Sequence, residues 1–120
     1  MHTIYIHLMR ELIMSSHFYD YYSSLPSVVQ EKFDYVMQIL IEQSVVSTKF
    51  VKRIQRSKLY EMRVSVGSNE YRTLLFAIDN ENIIKASKIY LLNAFLKKST
   101  KEYKNQIKIA QNILNSSTYE

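Results

Sequence analysis

Two arginines dominate the chemistry that this sequence could perform. Arg63 lies in Leu59–Val66, and Arg72 opens the stretch that follows the turn residues Gly67-Ser68-Asn69. A guanidinium presents a planar fork that matches two phosphate oxygens, so a pair of them suits charge developing on a phosphoryl group. Lys97 and Lys98 close a later apolar stretch. They are candidates for binding substrate phosphate, with general acid or base work as the sharper role. Lys52 and Lys58 extend the basic track as phosphate-binding candidates, where they would add affinity rather than chemistry. The competing reading of Arg63 and Arg72 is a surface pair neutralised by Glu61 or Glu70, and for the lysines it is plain solvation.

Other chemistries have little to stand on. The chain has no cysteine and only three scattered histidines, so a thiolate zinc site is excluded and a His/carboxylate site lacks supporting spacing. No metal and no cofactor is expected. One glycine, Gly67, leaves no glycine-rich phosphate loop. No apolar run approaches the roughly 18 residues that span a bilayer, and no membrane association is expected. Without a signal-peptide pattern or cysteines, the expected location is the cytoplasm.

The net charge of +5 is unevenly spread. Residues 1–48 hold two basic and five acidic side chains, a net −3, whereas residues 49–120 hold fourteen against six, a net +8. The basic part points to an anionic partner, with nucleic acid first among the options.

The elements that would position these groups read as one domain over residues 1–120, with residues 1–8 a possible leader. Residues 9–14 suggest a first strand and Ser15–Ser24 a short aromatic helix. Pro26 begins a second helix running to about Gln43, with Ser27 and Gln30 at capping-box spacing. Its apolar stripe is Val29, Phe33, Val36, Met37, Leu40 and Ile41. Lys49 to Lys58 is a basic joint without an acid. Leu59–Val66 and Tyr71–Ile78 then form a hairpin. An even loop such as Ser68-Asn69 would place Val66 opposite Tyr71, Val64 opposite Thr73 and Met62 opposite Leu75. That parity gathers an apolar face and unites Arg63, Ser65 and Arg72 on the reverse. An odd loop would set Arg72 among valines, at the cost of a buried charge. A strand over Ser87–Leu96 and a helix over Thr100–Asn115, capped by Ser99 with Glu102, complete the chain. Tyr60 and Tyr71 fall on the core face. The fold class is α+β.

Three segments resemble one family. Leu59-Tyr60-Glu61-Met62-Arg63-Val64, Asn69-Glu70-Tyr71-Arg72 and Leu91-Leu92-Asn93-Ala94-Phe95-Leu96-Lys97-Lys98-Ser99 look, in that order, like the hairpin and strand-end motifs of HigB-type toxins. These form the phage-derived branch of the RelE/ParE superfamily. The resemblance spans about residues 9–114. It implies a RelE-like fold, a small twisted antiparallel sheet with two N-terminal helices and a C-terminal helix. It implies a metal-independent endoribonuclease toxin of a type II toxin–antitoxin system, acting on mRNA at the ribosome and blocking translation. It implies a HigA-like helix-turn-helix antitoxin as partner. On this resemblance Arg63, Arg72, Lys97 and Lys98 are the catalytic candidates, and Lys52, Lys58 and Asn93 the RNA-binding ones. Asn93 and Ala94 depart from the family, which commonly has His and Gly there. Asparagine cannot serve as a general base, so a lysine or the ribosome must supply proton transfer, or the toxin is inactive. The alternative is a non-catalytic basic nucleic-acid-binding module or an interaction protein with a basic face.

Overall fold

A computed structural model describes residues 9–117; the possible leader, residues 1–8, lies outside them. The elements are β1 (Glu11–Met14), α1 (Ser16–Ser24), α2 (Ser27–Glu42), β2 (Val51–Arg53), β3 (Leu59–Val66), β4 (Asn69–Ala77), β5 (Lys88–Leu96) and α3 (Thr100–Ser116). The strands make one sheet in the order β1-β5-β4-β3-β2. Four of them are antiparallel neighbours, but β1 runs parallel to β5, pairing Glu11 with Lys88 through Met14 with Leu91. The sheet is therefore mixed rather than purely antiparallel. Strand β2 emerges inside the basic joint, where charge hides a three-residue edge strand.

The hairpin has the expected parity and a different pairing. Its loop is Gly67-Ser68, so Val66 meets Asn69, Val64 meets Tyr71, Met62 meets Thr73 and Tyr60 meets Leu75. Gly67 has φ +59° and Ser68 is not in the positive-φ region. A positive φ at the first loop residue alone marks a type II′ turn, whose twist suits a two-residue hairpin and which favours glycine there. The two-residue shift from the expected loop keeps every side chain on its face. It also sets Arg63 directly opposite Arg72.

Both faces of the sheet are covered. Helices α1 and α2 bury one face around Phe18, Phe33, Leu40, Met62, Leu75 and Leu91. Fully burying each such side chain contributes about 1.5–3 kcal/mol. Helix α3 covers Leu59, Leu74, Leu92 and Phe95 on the reverse face with Ala110 and Ile113. Ser15 caps α1 by accepting from Phe18 N–H, and Ser99 caps α3 by accepting from Glu102 N–H. Pro26, not Ser27, occupies the cap of α2 and offers no side-chain bond there. Gln30 instead donates to Tyr22 carbonyl (2.8 Å), tying α2 to α1.

Strand β5 bulges opposite Leu74. Thr73 pairs with Ala94 and Leu75 with Leu91, so Leu92 and Asn93 share one opposing residue. The extra residue turns Asn93 to the α3 side beside Leu92, against strict alternation.

Candidate functional site

The site is built where the reverse face emerges from under α3. Glu61, Arg63 and Arg72 share that face because Glu61 and Arg63 are two residues apart on β3 and Arg72 stands across from Arg63. Glu61 is buried and acts as the hub. Its Oε1 accepts from Arg63 Nε (3.0 Å) and lies 2.9 Å from Arg63 Nη2. Its Oε2 accepts from the Tyr103 hydroxyl of α3 and lies 3.9 Å from Arg72 Nε. Tyr103 is fixed in turn by an edge-to-face contact with Phe95, ring centroids 5.7 Å apart.

The two arginines differ in setting. The Arg63 side chain is 31% exposed, whereas that of Arg72 is 7% exposed. Arg72 Nη1 donates to Tyr71 carbonyl (3.0 Å) and lies 3.7 Å from Glu70 Oε2. Its Nε–H has no hydrogen-bond acceptor among the described residues. A buried donor left without a hydrogen-bond acceptor costs about 1–3 kcal/mol.

Lys97 and Lys98 follow β5 and are exposed. The Lys97 N–H donates to Glu70 carbonyl (2.8 Å), which anchors the segment beside the hairpin. With Ser99, Thr100, Glu61 and Tyr103 they line a pocket of about 290 Å³. The carboxylate hub, the phenol and both lysines therefore open onto one space. Burial, then the hydrogen bond to Glu61 and its charge, hold the Tyr103 phenol well above its usual pKa, while Arg72 and Arg63 pull the other way. At neutral pH Tyr103 is a proton donor, and Glu61 is the acceptor that faces it.

The remaining candidates are dispersed. Lys52 pairs in register with Glu61, so it sits beside the hub on the same face. Lys58 precedes β3 at the opposite end, beside Arg53 and Arg56. Five residue steps along the strand separate it from Arg63, about 17 Å. Asn93 is buried, and its Nδ2 donates to the backbone carbonyl (3.1 Å) and side-chain carbonyl (2.8 Å) of Gln106, joining β5 to α3. Tyr60 and Tyr71 are buried on the core face, as alternation indicated.

Glu61 was legible only as a neutralising partner of Arg63, and nothing in the sequence marked Tyr103 as part of the site. Alternation does place Glu61 beside Arg63, and that was the available signal. Among the described residues, no group of three His, Asp or Glu side chains could hold a metal ion. No helix among them is long and apolar enough to cross a membrane.

Residues 20–115 match the family described as phage derived protein Gp49-like (DUF891). No match was found among curated protein sequences. Among solved structures the chain is similar to a free-state, doubly arginine-substituted variant of the E. coli toxin RelE. The TM-score is 0.59 at 15% identity, covering 83% of this chain and 96% of that one. The chain thus belongs to the phage-derived Gp49-like family, and its fold is similar to that of RelE.

Proposed function

We propose that this protein is the toxin of a type II toxin–antitoxin pair, a HigB-type endoribonuclease that cleaves mRNA on the ribosome in the bacterial cytoplasm and is neutralised by a HigA-like helix-turn-helix antitoxin. The observation that supports this most is the convergence of Glu61, Lys97, Lys98 and Tyr103 on one pocket, with Arg63 and Arg72 facing the same Glu61 carboxylate, on a fold similar to that of RelE.

The chemistry needs no metal. The 2′-hydroxyl attacks the adjacent phosphorus, the new 2′-O–P bond forms, and the P–O5′ bond breaks to leave a 2′,3′-cyclic phosphate. The 2′-hydroxyl proton goes to the Glu61 carboxylate, which replaces the histidine missing at Asn93. The leaving 5′-oxygen takes a proton from Lys97, Lys98 or Tyr103. Glu61 occupies the Nε–Nη2 edge of Arg63, so Arg63 Nη1 is the part of the fork that meets a phosphoryl oxygen. Arg72 lies deeper and adds fixed positive charge through its unpaired Nε–H. Lys52 and Lys58 hold flanking phosphates.

Expression in a bacterial host tests the reading. Growth arrest with transcript loss is expected from wild type. Arg63→Ala should remove about 2.7–4 kcal/mol of transition-state stabilisation, a 100- to 1,000-fold loss of cleavage. A wild-type chain that leaves growth and transcripts intact refutes the reading. RNA binding with a steep salt slope and no products would favour the non-catalytic binding module.

A further inference from the structure

A second pocket lies on the other side of Arg63. Strand β2 pairs with β3 only as far as Val51 opposite Met62, and the Arg63 N–H then donates to Phe50 carbonyl (2.7 Å). Beyond that point β3 has no strand neighbour on this edge among the described residues. The gap between this free edge and α2 is a cavity of about 370 Å³. Val36 and Val64 line its buried part, and Lys32, Tyr35, Lys49, Phe50, Arg63 and Ser65 line the rest. Three of these residues are cationic and none is a carboxylate. Two acids touch its lining from outside: Glu61 pairs with Arg63, and Glu70 Oε2 accepts from the Ser65 hydroxyl.

The aromatic pair gives the cavity its specificity. Tyr35 and Phe50 meet edge to face, with centroids 6.3 Å apart and planes at 77°. Such a contact uses a face of one ring at most, and Tyr35 is 59% exposed, so a ring face remains open to a planar group. Lys49 Nζ stands 5.5 Å from the Phe50 centroid. An open aromatic face ringed by cations fits a stacked base whose phosphates lie on the lysines. We propose that this cavity is a subsite for one nucleotide of single-stranded RNA, next to the bond cleaved at Glu61. Arg63 lines it and pairs with Glu61, which lines the reaction pocket, so a strand could lie in both at once. The inference rests on the nuclease reading for its substrate, while its test separates the two.

The full chain is titrated against a ten-nucleotide single-stranded RNA methylated at every 2′-oxygen, which cannot be cut, by fluorescence anisotropy. Tyr35→Ala, at an exposed position, should keep the fold by circular dichroism and weaken binding by about 5- to 100-fold. Tyr35→Phe should stay within about twofold. Joint Lys32→Ala and Lys49→Ala should reduce the salt slope by about 1.4, the value for two phosphates on a single strand. If Tyr35→Ala binds as wild type does while ribosome-bound mRNA is still cleaved, the subsite is refuted and the nuclease reading survives. If binding depends on Tyr35 and ribosome-bound mRNA stays intact, the subsite stands and the nuclease reading fails. A polyglutamate peptide bound as tightly as RNA, with the same dependence on Tyr35, would assign the cavity to an acidic protein segment and overturn the proposal.

Discussion

Replacing Glu61 with glutamine separates its structural role from its chemical one. The substitution keeps shape and one carbonyl acceptor but removes the charge. Wild-type Glu61 joins Arg63 at 2.9–3.0 Å and Tyr103, and it faces Arg72 at 3.9 Å. A hydrogen bond to a charged group is worth about 1.5–3 kcal/mol. Glutamine can still serve Tyr103 and one donor of Arg63, so the loss is close to a single charged bond. The partial exposure of Arg63 places it near the lower end of that range. A destabilisation of about 2 kcal/mol is expected, which is ~1 M in the urea midpoint at an ordinary m-value. Affinity for uncleavable RNA should move the opposite way. One negative charge roughly 5 Å from a phosphate costs about 0.8 kcal/mol in water, so its removal should tighten binding about three- to fivefold. Cleavage should fall 100- to 10,000-fold, the contribution of a positioned base. Single-turnover cleavage and anisotropy at one salt concentration read both effects. Cleavage within threefold of wild type, or weaker RNA binding, would refute Glu61 as the proton acceptor.

Three further outcomes follow from the fold. Arg10 is buried and donates to the carbonyls of Leu40, Gln43, Ser44, Ile83 and Ile84, pinning the α2 C-terminus to the β4–β5 connection; Arg10→Ala should cost about 3–5 kcal/mol in chemical denaturation, as when a buried charge network loses a partner. Gly67→Ala should cost about 1–2 kcal/mol from φ alone, since a Cβ there meets no atom within 4 Å; an unchanged unfolding midpoint would contradict the turn assignment. The Asp79 carboxylate accepts from the Ser87 hydroxyl and from the Ser87 and Lys88 N–H groups, which together lower its pKa below 3.8, the Ser87 hydroxyl contributing most. Its stabilisation is therefore present above pH 3.8 and lost as pH falls through the lowered value. Asp79→Asn should cost about 1 kcal/mol or less at pH 7, given its exposure, and the difference from wild type should vanish in strong acid.

The hairpin was readable because two constraints agreed. Alternation of Tyr60, Met62, Val64 and Val66 set one face, and the cost of burying Arg72 among them set the loop parity. Loop identity was not readable, since Gly67-Ser68 and Ser68-Asn69 share that parity and differ only in which residue takes a positive φ. The fate of Arg72 depended on α3, whose docking on the reverse face follows from Leu59, Leu74, Leu92 and Phe95 being too apolar for solvent. Those residues share one face with Glu61 and the arginines, and periodicity alone does not reveal a face that is part core and part site. The parallel pairing of β1 joins residues 77 apart, as Glu11 with Lys88 shows, and no local pattern reports it. The burial of Arg10 was not readable because its five acceptors are backbone carbonyls, which carry no side-chain signature.

The account rests on metal-independent cleavage through the 2′-hydroxyl, and the RNA ends report it directly. Purified protein is incubated with ribosomes programmed with a defined mRNA, and the products are sequenced and tested for terminal chemistry. Products ending in 2′,3′-cyclic phosphate are expected. They should be abolished by a single 2′-deoxy substitution at the cleaved position and reduced at least 100-fold by Arg63→Ala. Intact mRNA, or cleavage that survives the 2′-deoxy substitution, would contradict the mechanism.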